Sequence, residues 1–249
     1  MLTARKVSFD LSGNIPKHWL NNDPVKSHFL NAFSVVLPEY ERFFILTINR
    51  SRNLISNPKL KNDIQGFCAQ EGSHSLEHKK YNQLLVRQGY TVIPKFERFL
   101  SRFLTFALGK VSLKWLLAFT AGGEHVTAFM GEDFLARPGM WSKNSDLNLD
   151  ALWKWHAAEE VEHKAICFDV YQEISGKRWR RCLALFLISL PTLFAITALQ
   201  FYFLGKDRLL LKSATWKNYA RFMFGKGGYM RNLVKEYYRY IQKDFHPSA

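Results

Sequence analysis

Residues 71–78 read EGSHSLEH and residues 156–163 read HAAEEVEH. Each stretch sets a glutamate three positions before a histidine: Glu71 before His74, and Glu160 before His163. On a helix that spacing places both side chains on one face. The surrounding chain is basic, with 35 Lys and Arg against 21 Asp and Glu and a formal net charge of +14. Scarce acids gathered beside histidines in two places therefore ask for a common purpose.

Outward from these stretches the pattern is helical. Residues 27–50, 62–88, 113–135 and 150–174 each carry apolar positions at helical spacing,. Pro38 is expected to interrupt or kink the first of them,. Pro94 breaks the chain ahead of FERFLSRFLTFALG, and Pro138 with Gly139 marks a stop after the third helix. Asp146 or Asp150 can cap the fourth helix, which ends near Gly176,. No run of alternating strand character and no internal repeat occurs, so the reading is all-α.

Two further acids stand alone on apolar faces. Glu41 shares its face with Leu37, Phe44, Ile45 and Ile48, and Glu124 with Leu117, Thr120, Ala121, Thr127, Ala128 and Gly131. An uncompensated anion is costly there. Glu41 lies 30 residues before Glu71, and Glu124 lies 36 before Glu160, spacings that bring mid-helix residues of an antiparallel pair level,. The 53 residues from Glu71 to Glu124 leave room for a crossover. One lone Glu from each of two helices, with ExxH from each of two others, is the di-metal carboxylate pattern of a ferritin-like four-helix bundle. The predicted ligands are Glu41, Glu71, His74, Glu124, Glu160 and His163. Four carboxylates balance two divalent cations, and the oxygen-rich set suits Fe first, with Mn or Zn as alternatives.

Neighbouring residues keep some assignments open. Glu159 and Glu162 flank Glu160, although they point to other helix faces. His78 and His156 lie one turn from the ligand pairs and read as histidines supporting the ligands from behind. His125 points away from Glu124 and reads as a packing or hydrogen-bonding residue. These three histidines are also the candidate proton donors for catalysis. Tyr81, Tyr171, Cys68 and Cys167 read as core residues; Glu77, Glu132 and Asp133 read as surface or supporting acids.

Past Gly176 the character changes. Residues 182–205 contain no charged residue, a length that suffices to cross a bilayer,. Spanning, re-entering and packing on the bundle remain alternatives, because Pro191 falls near the middle and basic residues flank both ends,. The tail from Thr215 to Phe245 is basic and aromatic, as in a segment lying on an anionic membrane surface,. Residues 1–176 are thus expected to form the di-metal bundle, and 177–249 a membrane-associated region. The basic balance and the aromatic fraction of 15%, dominated by 21 Phe, favour an anionic bilayer over nucleic acid, for which no recognised motif appears,. Three unpaired cysteines and a start without an apolar core predict no signal peptide, and place the chain at the cytoplasmic side of the inner membrane,.

The segments NIPKHW, LNAFSVVLPEYERFF, EGSHSLEH, AGGEHVTA and WHAAEEVEHKAICFDVY resemble a bacterial family of predicted transition-metal-dependent hydrolases. The resemblance runs over nearly the whole chain, through the apolar C-terminal segment to Phe245, His246 and Pro247. One departure is Glu39-Tyr40 ahead of Glu41, where the family pattern has Gly beside the ligand acid; both Glu39 and Glu41 stay open. The resemblance implies hydrolysis by a metal-activated water. The ligand set itself favours a di-iron oxidoreductase acting with O2 on an apolar small molecule or lipid, fed by an electron-donor protein. Iron oxidation or storage ranks third.

Overall fold

Three of the helices that carry the core begin where the sequence supplies a cap. Asp23 accepts from the Val25 and Lys26 amides at the start of α1 (Pro24–Ser51), and Asn57 does the same for Lys59 and Leu60 at the start of α2 (Pro58–Arg87). In both, proline fills the first turn, where its missing N–H costs nothing,. Asp146, rather than Asp150, caps α5 (Leu147–His163) by accepting from Asn148 and Leu149. Between them lie α3 (Ile93–Lys110) and α4 (Leu113–Ala136). The chain continues through α6 (Ile166–Ile174), α7 (Arg178–Lys206), α8 (Ser213–Phe224) and α9 (Tyr229–Tyr240). This computed structural model describes residues 2–137, 140–141 and 144–249; among them there is no strand. The stop expected at Pro138 and Gly139 lies outside the described residues, beyond the end of α4 at Ala136.

Pro38 does not break α1. A proline there removes the hydrogen bond to the carbonyl of Ser34; Asn82 of α2 donates to that carbonyl instead, at 3.2 Å. The helix expected over 150–174 does break, immediately after His163, leaving Lys164 and Ala165 between α5 and α6. Both keep right-handed dihedrals, and Lys164 pairs with Glu132 of α4 at 2.8 Å.

α1, α2, α4 and α5 surround the centre, and α3 is the crossover, lying along α1. α7 packs against α1 and α4 through Ala184, Leu185, Ile196, Leu199 and Phe203. Its approach to α4 is close: a Cβ on Gly122 would stand 3.0 Å from the Leu185 Cα. α7 is long and apolar enough to cross a membrane, yet its inner face belongs to the same core as the bundle. The division expected at residues 176/177 therefore separates no core: Ile196, Phe203, Phe222, Tyr229 and Leu233 join the cluster formed by the first five helices. The tail read as one amphipathic stretch is two helices, α8 and α9, folded back at Gly225–Gly228. Arg181 secures this region. It is buried among the rings of Phe168, Tyr240 and Phe245, at 5.1, 4.9 and 5.4 Å from their centroids, and donates to the Gln242 carbonyl at 2.9 Å.

A second clasp closes the opposite end. Just past α7, one carboxylate oxygen of Asp207 accepts from His18, His28 and Tyr90 at 2.9, 3.0 and 2.9 Å, and the other receives Lys17 at 3.2 Å. Burial opposes the charge on Asp207, but the hydrogen bonds from His28, Tyr90 and His18 outweigh it and hold the carboxyl below its ordinary range. Asp207→Ala, which leaves buried His28 and Tyr90 without an acceptor, should cost about 3 kcal/mol in denaturant melts,. Because the folded carboxyl is the stronger acid, its contribution is present above the ordinary value of 3.8 and fades as pH falls below it,. A loss under about 0.5 kcal/mol would show that the clasp does not matter to stability.

Candidate metal centre

The six predicted ligands meet at one place in the core, each at most 2% exposed. The Nε2 of His163 lies 3.1 Å from Glu71, 3.3 Å from Glu124 and 3.5 Å from Glu160. The Nδ1 of His74 lies 3.5 Å from Glu71 and 3.6 Å from Glu160. Glu41 completes the ring with donor atoms from His74 and His156, all within 4.8 Å of one another. The two ExxH pairs, on α2 and α5, thus face each other across a space walled by the lone acids of α1 and α4.

His156 belongs to this ring and does not stand behind it. Its Nε2 is 3.3 Å from Glu160, and its Nδ1 is 3.1 Å from the Nε2 of His78. The proton positions follow from the partners. Asn82 donates to the Ser34 carbonyl and to Glu97, so its oxygen accepts from the Ser34 hydroxyl at 2.8 Å. That hydroxyl has one proton and must accept from the Nδ1–H of His78 at 2.9 Å,. The bare Nε2 of His78 then accepts from the Nδ1–H of His156, and the Nε2 of His156 turns a lone pair toward the acids.

The same logic applies to the other two imidazoles. Glu159 accepts from the Nε2–H of His74 at 3.1 Å, and the Gln70 oxygen accepts from the Nδ1–H of His163 at 3.1 Å. Each ring therefore spends its outer nitrogen on a partner and keeps its inner one for the centre. Both oxygens of Glu41 and of Glu124, one each of Glu71 and Glu160, and the inner nitrogens of all three histidines are buried without a hydrogen-bond partner. Buried polar groups are nearly always satisfied. Nine such atoms converging on one space fit a divalent cation.

Electrostatics point the same way. Burial, then the charge of Glu71, pushes the carboxyls of Glu41 and Glu124 well above their usual range. Burial would lower the pKa of His74 and His163, but the surrounding acids outweigh it and drive both well up. These shifts all favour taking up positive charge at the centre, as protons when no metal is bound. By contrast the His18–His28–Asp207 group is satisfied within itself, as described above, and makes no such demand.

The open alternatives resolve by position. Glu39 is 3.8 Å from Arg42 and lines a surface pocket with Lys79 and Glu97, leaving Glu41 at the centre. Glu159 sits behind His74, and Glu162 reaches Arg5 at the surface. His78 touches His156 and Ser34 and does not enter the ring. His125, a candidate catalytic residue, is on the far side of α4: it faces the Glu236 carbonyl at 3.4 Å and stacks on Tyr240, so it has no access to the acids. Nothing in the sequence singles out Gln70 beyond its position one turn from His74, and Glu159 stands there only as an alternative to Glu160.

The model of the family described as predicted metal-dependent hydrolase matches residues 3–249. The chain belongs to this family. No match was found among curated proteins or solved structures. A metal-dependent family and a ring of orphaned donors agree on a divalent cation as cofactor. Glu71→Ala, which removes an acid shared by both halves of the ring, should lose bound metal after dialysis, whereas Glu39→Ala should keep the full complement. Elemental analysis of the two purified variants decides this; equal metal contents would place the ligands elsewhere.

Proposed function

We propose that this protein is an O2-dependent oxidoreductase of apolar substrates, holding two transition-metal ions, iron first, at the membrane surface. His163, Glu124, Glu71 and Glu160 would hold one ion. His74, His156 and Glu41 would hold the other, with Glu71 and Glu160 within reach of both. When bound, reduced iron supplies the activation of O2, with electrons from a donor protein.

The observation that carries this reading is the use made of every nearby imidazole. His74, His156 and His163 point inward as ligands, and His78 is committed to His156 and Ser34. No histidine remains to protonate the leaving group of a hydrolysed substrate. The chain's own part is to hold the centre dry and to admit an apolar molecule. A narrow apolar groove of about 50 Å³ lies between α1, α4, α7 and α9, lined by Leu37, Phe44, Val126, Met130, Ile188 and Leu193 among others. Leu37 and Phe44 share the helix face of Glu41, so the groove floor backs onto the centre. Its lining suits an alkyl or acyl chain.

The outer surface supports the proposed membrane contact. Leu187, Leu190 and Phe194 of α7, and Phe99, Phe103 and Phe106 of α3, are exposed on a chain of net charge +14. Because the other face of α7 is committed to α1 and α4, we place that helix against the cytoplasmic leaflet and not through it. A second reading, hydrolysis by a metal-activated water, is favoured by the family description,.

The test loads the protein with iron, reduces it without air and adds O2 with vesicles of anionic phospholipid. Binding to these vesicles, O2 uptake, a reversible change in the optical spectrum and oxidised acyl chains are the expected results. A zinc- or manganese-loaded protein that cleaves esters, beside an iron form that consumes no O2, would replace oxidation by hydrolysis. Failure to float with the vesicles would remove the membrane from the account.

A further inference from the structure

Residues 2–9, outside any helix, run over the outer side of the two helices that carry the ExxH pairs. Leu2 rests on Gly66 of α2, where a Cβ would stand 2.5 Å from the Leu2 carbonyl oxygen. The Thr3 carbonyl accepts from Gln70 at 3.5 Å. The Phe9 amide donates to Glu77 of α2 at 3.4 Å, and the Phe9 ring meets Trp155 of α5 at 5.6 Å. Trp155 in turn packs edge-on against His74, at 4.8 Å between centroids.

Between these anchors Arg5 reaches both histidines at one remove. Its amide and its Nη1 donate to Glu159, at 3.2 and 3.0 Å, and the other oxygen of Glu159 holds the outer nitrogen of His74. Its Nη1 and Nη2 also donate to Glu162, whose Oε2 accepts from Gln70 at 3.2 Å; the Gln70 oxygen holds the outer nitrogen of His163. Glu159 and Gln70 are fully buried, whereas the arginine side chain is 48% exposed. One surface guanidinium thus terminates two hydrogen-bond chains, each ending on an ExxH histidine.

We infer that Arg5 is a positioning residue of the metal centre and that docking of residues 2–9 and metal binding favour one another. This rests on the metal-binding reading of the ring. Glu159 fixes which nitrogen His74 presents, and Gln70 does so for His163. Without Arg5 to hold Glu162 in place, and without the Thr3 carbonyl, the Gln70 amide loses the acceptors that orient it and can turn its N–H toward His163. The planar fork of arginine serves two carboxylates at once, which the single ammonium of lysine cannot reproduce. Partners one step behind metal ligands commonly account for a 10–100-fold change in metal affinity. By linkage, whatever the docked segment adds to metal affinity, the metal adds to the docking of the segment.

The probe is Co²⁺, whose visible spectrum reports its ligand field. Its dissociation constant is measured for the full chain, Arg5→Gln, Arg5→Lys and Gly66→Ala, with circular dichroism confirming the fold of each. Amide exchange over residues 2–9 is followed with and without the ion. Arg5→Gln should bind Co²⁺ about 10–100-fold more weakly and with an altered spectrum, and Arg5→Lys should recover only part. Gly66→Ala, which leaves Arg5 intact but lifts Leu2, should shift affinity in the same direction. Co²⁺ should slow exchange across 2–9 in the unaltered chain. If that chain binds no Co²⁺, the metal centre itself is refuted. If it binds and the folded Arg5→Gln and Gly66→Ala variants bind equally well, or if exchange over 2–9 ignores the ion, the coupling is refuted and the centre stands.

Discussion

Four carboxylates stripped of water and set within a few ångströms of one another repel strongly in a medium of low dielectric. Three imidazoles turned lone pair inward add to that repulsion. Compensating positive charge at the centre, whether protons or metal ions, is therefore a condition of the bundle's closing as it does. Much else in the molecule serves to keep these seven side chains in place. α1 and α4 bring one acid each and α2 brings an acid and a histidine, while α5 brings an acid and two histidines. The caps at Asp23, Asn57 and Asp146 start three of these helices at defined residues, and so set the level at which their ligands face one another.

Around the ring lies a layer with the opposite character, in which donors and acceptors are matched. Ser34, Asn82 and His78 serve His156; Glu159 serves His74; Gln70 serves His163. Burial alone would push the carboxyl of Glu159 up, but the hydrogen bonds from His74 and Arg5 hold it near 2, so it stays an anion behind the ring. An anionic partner makes His74 a stronger donor than His163, whose partner is a neutral amide. The two halves of the centre differ on this account, and also because His156 stands on one side only.

Much of this was legible in the sequence because it rests on local spacing. Three-residue spacing fixed the ExxH faces, apolar neighbours singled out Glu41 and Glu124, and helical spacing without strand alternation pointed to an all-α chain. The inward turn of His156 was half visible, as a histidine four residues before Glu160; the missing half was His78, which comes from another helix and settles the proton. Arg5 lies 154 residues from Glu159, and nothing in periodicity links a non-helical leading segment to a helix so far along the chain. The sequence leaves α7 open among spanning, re-entering and packing for a related reason. A charge-free stretch reads alike whether it faces lipid or protein, and only the tertiary contact with α1 and α4 shows that one face is core. Pro38 reads as an interruption or a kink in the sequence because the donor that replaces its missing N–H, Asn82, is supplied by α2.

In the function proposed above, this ring would hold a pair of metal ions between Glu71 and Glu160. Anomalous X-ray diffraction at the iron edge, from crystals grown with iron, tests it most directly. Two anomalous peaks inside the ring, one beside His163 and Glu124 and the other beside His74, His156 and Glu41, are the expected result. A ring without anomalous density, with iron found only at other sites on the protein, would contradict it.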